Sequence, residues 1–245
     1  MKRVDNQKEH FMRPEIKRFY WQTQNSYILK KEKELISVIA EQEARVALEI
    51  GCGEGANMVN LQSMGYKASF FGVDFSPGKI EFCKSHSLKG TNFICADALC
   101  LPFLENTFDM VFCRDLLHHV KEKEKCVNEM VRVVKPKGKV IIIEGNGKKF
   151  TNFVFSLLFS GESGMKNSTP KKIEGLLKGC KAVKPIDFIM KEPSNLFRVL
   201  LHYGFGIPEL AKIGLFVRLL DFINRLSKIL VSEEGWAYII VVCEK

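Results

Sequence analysis

A doubly wound α/β fold, with a mostly parallel seven-stranded sheet and helices on both faces, is predicted by three observations on this chain of 245 residues. Strand and helix patterns alternate, with short connections, from residue 45 to residue 144, and such alternation puts parallel strands between helical layers. The first apolar run, "RVALEI", breaks into glycines at alternate positions, Gly51, Gly53 and Gly55. A β-branched run, "GKVIIIE", reads as a strand buried on both faces. With 46% hydrophobic residues the chain can bury one substantial core, so residues 1–245 are read as a single domain.

The elements follow in order. Residues 1–34 form a cap segment, in which "RFYWQTQNSYILKKEKEL" reads as one N-terminal helix bearing Tyr20, Trp21 and Tyr27. These aromatics either close over a ligand or pack against the sheet. Residues 35–145 are the core. "RVALEI" is a strand, "ANMVNLQSMG" a helix closed by Gly65, "ASFFGVD" a strand, and "SPGKIEFCKSHS" a helix with Ser76 as N-cap and Pro77 at its first position. "TNFIC" and "FDMVFC" are strands, "KEKEKCVNEMVRVVK" is an amphipathic helix, and "GKVIIIE" closes the core. Residues 146–235 break the alternation: "KKIEGLLKGC" is a short helix, "AVKPIDFIM" a strand with an awkward proline, and the segment from Ser194 to Gly235 an apolar helical insertion. In its second half Arg218, Asp221, Arg225 and Lys228 share one narrow face, with apolar residues around the rest. Residues 236–245, "WAYIIVVCEK", are the final strand.

Charge is unevenly spread within a net +9. Residues 1–33 carry nine Lys/Arg against four acids, residues 34–147 thirteen against fifteen, and residues 148–245 fifteen against nine. A near-neutral core thus lies between two basic flanks, which are either solvated lysine faces or the places where an anionic partner binds. The eight cysteines are scattered singly with no CxxC, so no structural metal is expected. The start lacks the apolar stretch of a secretory signal, no long uncharged apolar run occurs, and the chain reads as cytosolic.

The glycine comb defines the site. In an open parallel sheet, ligands bind beyond the carboxyl ends of the strands, where the strand order reverses. Glycines there permit positive φ and leave no side chain between backbone and ligand. "GCGEGA" also fits the weak dinucleotide fingerprint, so the comb alone leaves a nicotinamide cofactor open. Its neighbours narrow the choice. Glu49, at the strand tip, would repel a pyrophosphate but suits a cationic amino group; Asp74, nineteen residues beyond Gly55, is placed for ribose hydroxyls; Asp97, after "TNFIC", is placed for an adenine amino group.

Over roughly residues 35–145 the sequence resembles the class I S-adenosylmethionine-dependent methyltransferases. "LEIGCGEG", "GVDFSPGKIE", "ICADALCLPFLENTFDMVFC", "LLHHV" and "EMVRVVKPKGKVIIIE" match that family's motifs in order. The resemblance implies a Rossmann-like methyltransferase fold and S-adenosyl-L-methionine as cofactor. It implies that the loop of Gly51, Cys52, Gly53 and Gly55, with Glu49, holds the methionine moiety, Asp74 the ribose, Phe75 one adenine face, and Asp97 with the Ala98 backbone the adenine edge. Arg114 falls where the backbone lines the cofactor in the family, but a charged arginine is a departure, and its side chain either reaches for substrate or pairs with Asp115.

The sulfonium cofactor brings an activated methyl group, so a base is needed only for an acceptor that carries a proton at the attacking atom. The candidate bases are His118 and His119, with His119 also readable as a residue that orders its loop. His202 and Tyr203 are acceptor-side candidates in the insertion. Its apolar breadth points to a lipophilic or aromatic small molecule as acceptor, and its basic stripe would tolerate peripheral contact with an anionic membrane. A non-catalytic cofactor-binding subunit and an RNA methyltransferase remain alternatives. No "NPPY"-like tetrapeptide or separate RNA-binding module is present, so nucleic acid is not expected as a partner.

Overall fold

A computed structural model describes residues 12–86, 90–180 and 182–245. The first eleven residues of the cap segment, and Ser87 at the end of the predicted "SPGKIEFCKSHS" helix, lie outside the described residues. Among the described residues seven strands form one sheet: β1 (Val46–Ile50), β2 (Ser69–Asp74), β3 (Thr91–Cys95), β4 (Phe108–Arg114), β5 (Val134–Gly145), β6 (Lys184–Lys191) and β7 (Tyr238–Glu244). Their order is β3-β2-β1-β4-β5-β7-β6. The first five are parallel, and β7 runs antiparallel to both β5 and β6. The chain moves outward from β1 to β3, then crosses back to β4 on the other side of β1. The loops after β1 and β4 therefore diverge and leave a crevice at their carboxyl ends.

Period-two alternation builds two cores from the same strands. Val140 and Ile142 of β5, with Leu48 and Val111, pack under α5 (Lys123–Val133) and α7 (Pro170–Gly179). Ile141 and Ile143, with Ala47 and Phe112, pack on the other face against α2 (Ser26–Ala40), α3 (Ala56–Ser63) and α4 (Pro77–Ser85). All four β5 residues are fully buried; each contributes about 1.5–3 kcal/mol of transfer free energy, and a register slip by one residue would exchange the two faces.

The local signals in the core hold. Ser76 Oγ caps α4 by accepting from the Lys79 amide at 3.2 Å, with Pro77 in the first turn, and Gly65 leaves α3 at φ +83°. The "GKVIIIE" strand is longer than predicted, because the chain is already extended at Val134, where α5 ends. Pro185 is tolerated in β6 because that strand is the sheet edge and its pairing is bulged between Pro185 and Asp187.

The flanks differ from the sequence reading in two ways. The single N-terminal helix is two, α1 (Ile16–Gln24) and α2, broken at Asn25, whose side chain accepts from the Ile28 amide at 3.2 Å and starts the second helix. The insertion does lie between the last two strands, but it is mostly short pieces. After α6 (Phe150–Leu158) and β6 come α8 (Leu196–Leu200), a 3₁₀ turn at Pro208–Lys212 and one long helix, α9 (Gly214–Leu230). Asp221 shares its face of the helix with Arg218, Arg225 and Lys228, but it is half-buried where they are exposed. It turns inward, accepting from Tyr27 Oη at 2.9 Å with Lys31 Nζ at 3.8 Å.

Candidate functional site

The comb is built as its glycines require. Gly51, Gly53 and Gly55 have φ of +71°, +54° and +79°. The Gly51 and Cys52 amides both donate to the Val73 carbonyl, at 2.8 and 2.9 Å, which ties the loop to β2. A Cβ on Gly51 would meet Leu116 Cδ1 at 2.9 Å, so the loop after β4 leans on the comb, whereas a Cβ on Gly53 would meet nothing within 4 Å. Gly53 faces open space, where a ligand can approach the backbone.

The three acids lie at or just past the carboxyl ends of β1, β2 and β3, and Asp74 meets that opening directly. Asp74 Oδ2 accepts from the Gly53 amide at 3.0 Å and Oδ1 from the Ser76 amide at 2.9 Å. The carboxylate is thus fixed with one lone pair left on each oxygen, and burial raises its pKa. Phe75 exposes nearly half its surface beside it. Asp97 is exposed and accepts from the Leu99 amide at 2.8 Å, with Ala98 half-buried next to it.

Glu49 is the most informative of the three. It is buried, Oε1 accepts from Asn57 Nδ2 at 2.6 Å, and Oε2 is buried with no hydrogen-bond partner. Burial pushes its carboxyl up to about 8. An orphaned carboxylate oxygen at the mouth of a glycine loop fits a ligand ammonium, and it opposes a pyrophosphate. The residues present therefore fit S-adenosylmethionine: Glu49 and the comb for the methionine end, Asp74 for the ribose, Phe75 and Asp97 for the adenine.

Arg114 does not reach for substrate. Its guanidinium is buried, Nη1 donating to Glu32 Oε2 at 2.5 Å and to Asn57 Oδ1 at 2.9 Å, with Nε 3.4 Å from Asp115 Oδ2. Arg114 thus orients Asn57, which orients Glu49. On its far side Glu32 also takes Arg198 Nη1 at 2.6 Å. Burial opposes the Glu32 charge, but the two arginines hold its carboxyl at about 2.

The histidine reading is corrected for His118. Its side chain is fully buried, Nδ1 donating to Glu144 Oε2 at 2.7 Å and Nε2 to Glu162 Oε2 at 3.1 Å. Burial disfavours the charge, but the two glutamates push its pKa up to about 10. An imidazolium with both nitrogens donating cannot serve as a base. His119 is held neutral, burial and the adjacent His118 charge lowering its pKa to about 4. His118, His119 and Glu162 bring ligand-type atoms within 4.8 Å of one another, but the imidazolium between two carboxylates already balances that cluster.

The acceptor-side candidates also separate. Tyr27 is buried against Phe197 at 5.7 Å and fixes α9 through Asp221, and Tyr20 is exposed beside Phe19. Trp21, His202 and Tyr203 do come together, Trp21 lying 5.8 Å from the His202 ring and 5.7 Å from Tyr203. His202 stacks on Phe205 at 3.9 Å, and Phe155 and Phe159 of α6 complete an aromatic box. Burial lowers the His202 pKa to about 4. Tyr203 Oη donates to Glu15 Oε2 at 2.9 Å, and the Glu15 amide donates to Glu54 Oε1 of the comb at 2.8 Å. With the Met12 carbonyl accepting from Ser76 Oγ at 2.7 Å, the cap is tied both to the comb and to the turn after β2.

Sequence reasoning missed Asp115. It directly follows β4 at the crevice with φ +49°, strained for a residue with a side chain. Oδ2 accepts from Tyr238 Oη at 3.3 Å, Oδ1 is buried without a hydrogen-bond partner, and burial raises its pKa despite Arg114. Its position next to Arg114 was visible; the strain and the orphaned oxygen were not. The open concavity of about 650 Å³ at the other end of the sheet, lined by Arg45, Asp109 and Lys135 among others, contains none of these residues.

Residues 48–142 match the family model described as a methyltransferase domain. The chain is 34% identical over 101 residues to norajmaline N-methyltransferase of Rauvolfia serpentina, covering 39% of this chain and 34% of that protein. It is 32% identical over 132 residues to demethylmenaquinone methyltransferase of Staphylococcus epidermidis, covering 52% of this chain and 55% of the other. The matches thus span about a third to about half the length of these relatives. Phosphoethanolamine N-methyltransferase 2 of Haemonchus contortus, solved with S-adenosyl-L-methionine, shares the fold at TM-score 0.62 and 18% identity, over 88% of this chain and 52% of that one. Residues 48–142 are thus similar to a methyltransferase domain, and the seven-stranded sheet has the Rossmann-like fold of the solved methyltransferase.

Proposed function

We propose that the protein transfers the methyl group of S-adenosylmethionine to a small lipophilic or aromatic acceptor. The observation that carries the cofactor half is the buried, unpartnered Glu49 Oε2 beside the open face of Gly53. The cofactor supplies an electrophilic methyl on a sulfonium. The chain's own residues then hold the methionine ammonium at Glu49, fix the ribose at Asp74, and keep water out with a cap bonded to Ser76 and Glu54.

The aromatic box supports the acceptor class. Trp21, His202, Phe205, Phe155 and Phe159 offer ring faces and edges and little that would reward a strongly polar molecule. The relatives named above act, by their names, on norajmaline and on demethylmenaquinone. Where the acceptor carries a proton at the attacking atom, Asp115 takes it, since His118 is committed to its glutamates.

The test has two stages. Calorimetric titration with S-adenosylmethionine should show binding to the wild type that is strongly weakened in Asp74→Ala. Methyl-labelled cofactor incubated with cell extract should then leave label in the lipid or aromatic fraction. No cofactor binding would overturn the comb argument; binding without label in any fraction would make the chain a cofactor-binding subunit, and label confined to RNA would overturn the acceptor class.

A further inference from the structure

The outer face of α9 has no role in the site described above. Leu215, Leu219, Phe222, Leu226 and Ile229 recur at three- and four-residue spacing, and all are exposed, Leu215 and Ile229 at 79% and 81%. This is an inverted amphipathic pattern, because the apolar stripe that a surface helix normally buries here points away from the protein. The inward side of the helix is held by other contacts: Leu220 is buried, Asp221 accepts from Tyr27, and Asn224 accepts from the Ser194 amide at 3.4 Å.

The charges show what the stripe fits. Arg218 and Arg225 lie seven residues apart along one edge of it, with Lys228 further round, and all three are exposed. The helix contains one acid, Asp221, and it is turned inward. The outer face is therefore apolar with a border whose exposed charges, Arg218, Arg225 and Lys228, are all cationic, within residues 148–245 that carry fifteen Lys/Arg against nine acids. A second exposed apolar strip, Phe150, Phe153 and Leu157, lies on α6, whose Thr151 and Asn152 both bond Asn195, one residue from the Ser194 whose amide bonds Asn224 of α9.

We infer that α9, with the outer strip of α6, docks the protein onto an anionic lipid bilayer, the apolar stripe entering the acyl boundary and Arg218, Arg225 and Lys228 meeting lipid phosphates. No helix among the described residues is long and apolar enough to cross a membrane, so the contact is interfacial. A second copy fits less well, because two such faces would bring cationic borders together without compensating acids. The surface stands apart from methyl transfer; it rests on the proposed function only in the clause that a bilayer would deliver a lipophilic acceptor beside Phe155 and Phe159.

The full chain should be floated with vesicles of phosphatidylcholine alone and of phosphatidylcholine mixed equally with phosphatidylglycerol. The wild type should float with the mixed vesicles and much less with the neutral ones, and added salt should weaken the difference. Arg218→Glu with Arg225→Glu should lower partition into mixed vesicles by about thirtyfold or more. Leu219→Glu with Phe222→Glu should abolish it, and both variants should keep wild-type S-adenosylmethionine binding. Absence of flotation with either vesicle would overturn the inference. So would light scattering that shows a dimer which Leu219→Glu with Phe222→Glu converts to monomer. Failed cofactor binding would instead overturn the methyltransferase reading and leave the vesicle result standing.

Discussion

Residues 35–145 and residues 146–235 solve opposite problems. In the first, strands alternate their side chains into two closed cores, and the glycine loop stays open to a ligand. In the second, only Leu220 of the seventeen residues of α9 is buried, and order comes from polar and aromatic contacts to the cap and to α6. The difference teaches where each half is vulnerable. The cofactor half depends on packing and on single carboxylates, whereas the acceptor half depends on long-range ion pairs that tie it down.

The strongest way to test that contrast is at the buried imidazolium of His118, which joins Glu144 of the first region to Glu162 of the second. Glu144→Gln leaves the His118 imidazolium without its closest carboxylate in a fully buried position. Removing one partner of a buried pair costs about 3–5 kcal/mol, so thermal unfolding should fall by many degrees. The wild type should also show a pH signature. The His118 pKa is raised from 6.5 to about 10, so its contribution is fully present below the unfolded value and is lost as pH rises through about 10. Denaturation curves across that window should decline for the wild type and decline less for His118→Gln. An unchanged slope in the variant would mean that another group is responsible.

Asp115→Asn tests the junction of the two halves. It keeps the shape and the contact with Tyr238 but removes the basic oxygen. Turnover on an acceptor that must lose a proton should drop by about a hundredfold or more, with S-adenosylmethionine affinity little changed. Loss of cofactor binding in the same measure would show that Asp115 only maintains the crevice.

The two halves were unequally legible in the sequence. The strands, the comb, the Ser76 cap and the three acids announce themselves locally, through period, spacing and residue type. The ties do not. Glu32 sits in "LKKEKEL", where a lysine-rich helix suggests solvated charge, yet it is fully buried because Arg114, 82 residues away, and Arg198, 166 residues away, converge on it. His118 looked like a free base because the partner that closes its second nitrogen, Glu162, is 44 residues downstream in a 3₁₀ turn after α6. Asn25 stood inside a helical run and split it by capping the second helix.

A smaller effect sharpens the account of the cofactor half. Glu49→Gln keeps a hydrogen-bond acceptor but loses the charge, and a hydrogen bond to a charged group contributes about 1.5–3 kcal/mol, or roughly ten- to a hundredfold in affinity. The sign of the pH dependence follows from burial. With its carboxyl pushed up to about 8, Glu49 is largely protonated at pH 6 and must release a proton to receive the ammonium. Wild-type affinity for S-adenosylmethionine should therefore rise between pH 6 and pH 8, with proton release measurable by titration in buffers of different ionisation enthalpy. Glu49→Gln should lose that release. Arg114→Met, which frees Asn57 and removes the positive charge that favours the Glu49 carboxylate, should move the rise to higher pH. An unshifted profile would mean that the path from Glu32 through Arg114 to Glu49 is structural support alone.

The smallest effect belongs to the aromatic box. Phe205→Ala removes a ring stacked on both His202 and Phe159, and aromatic pairs contribute about 0.5–1.5 kcal/mol beyond their buried area. Because the ring contacts of Phe205 are with Phe155, Phe159 and His202, cofactor affinity should stay at the wild-type value, while KM for a lipophilic acceptor rises severalfold with kcat little altered. If kcat falls instead and KM stays, the box orients the acceptor in the transition state rather than simply gathering it. The boundary between the two halves would then run through Phe205 rather than along the crevice.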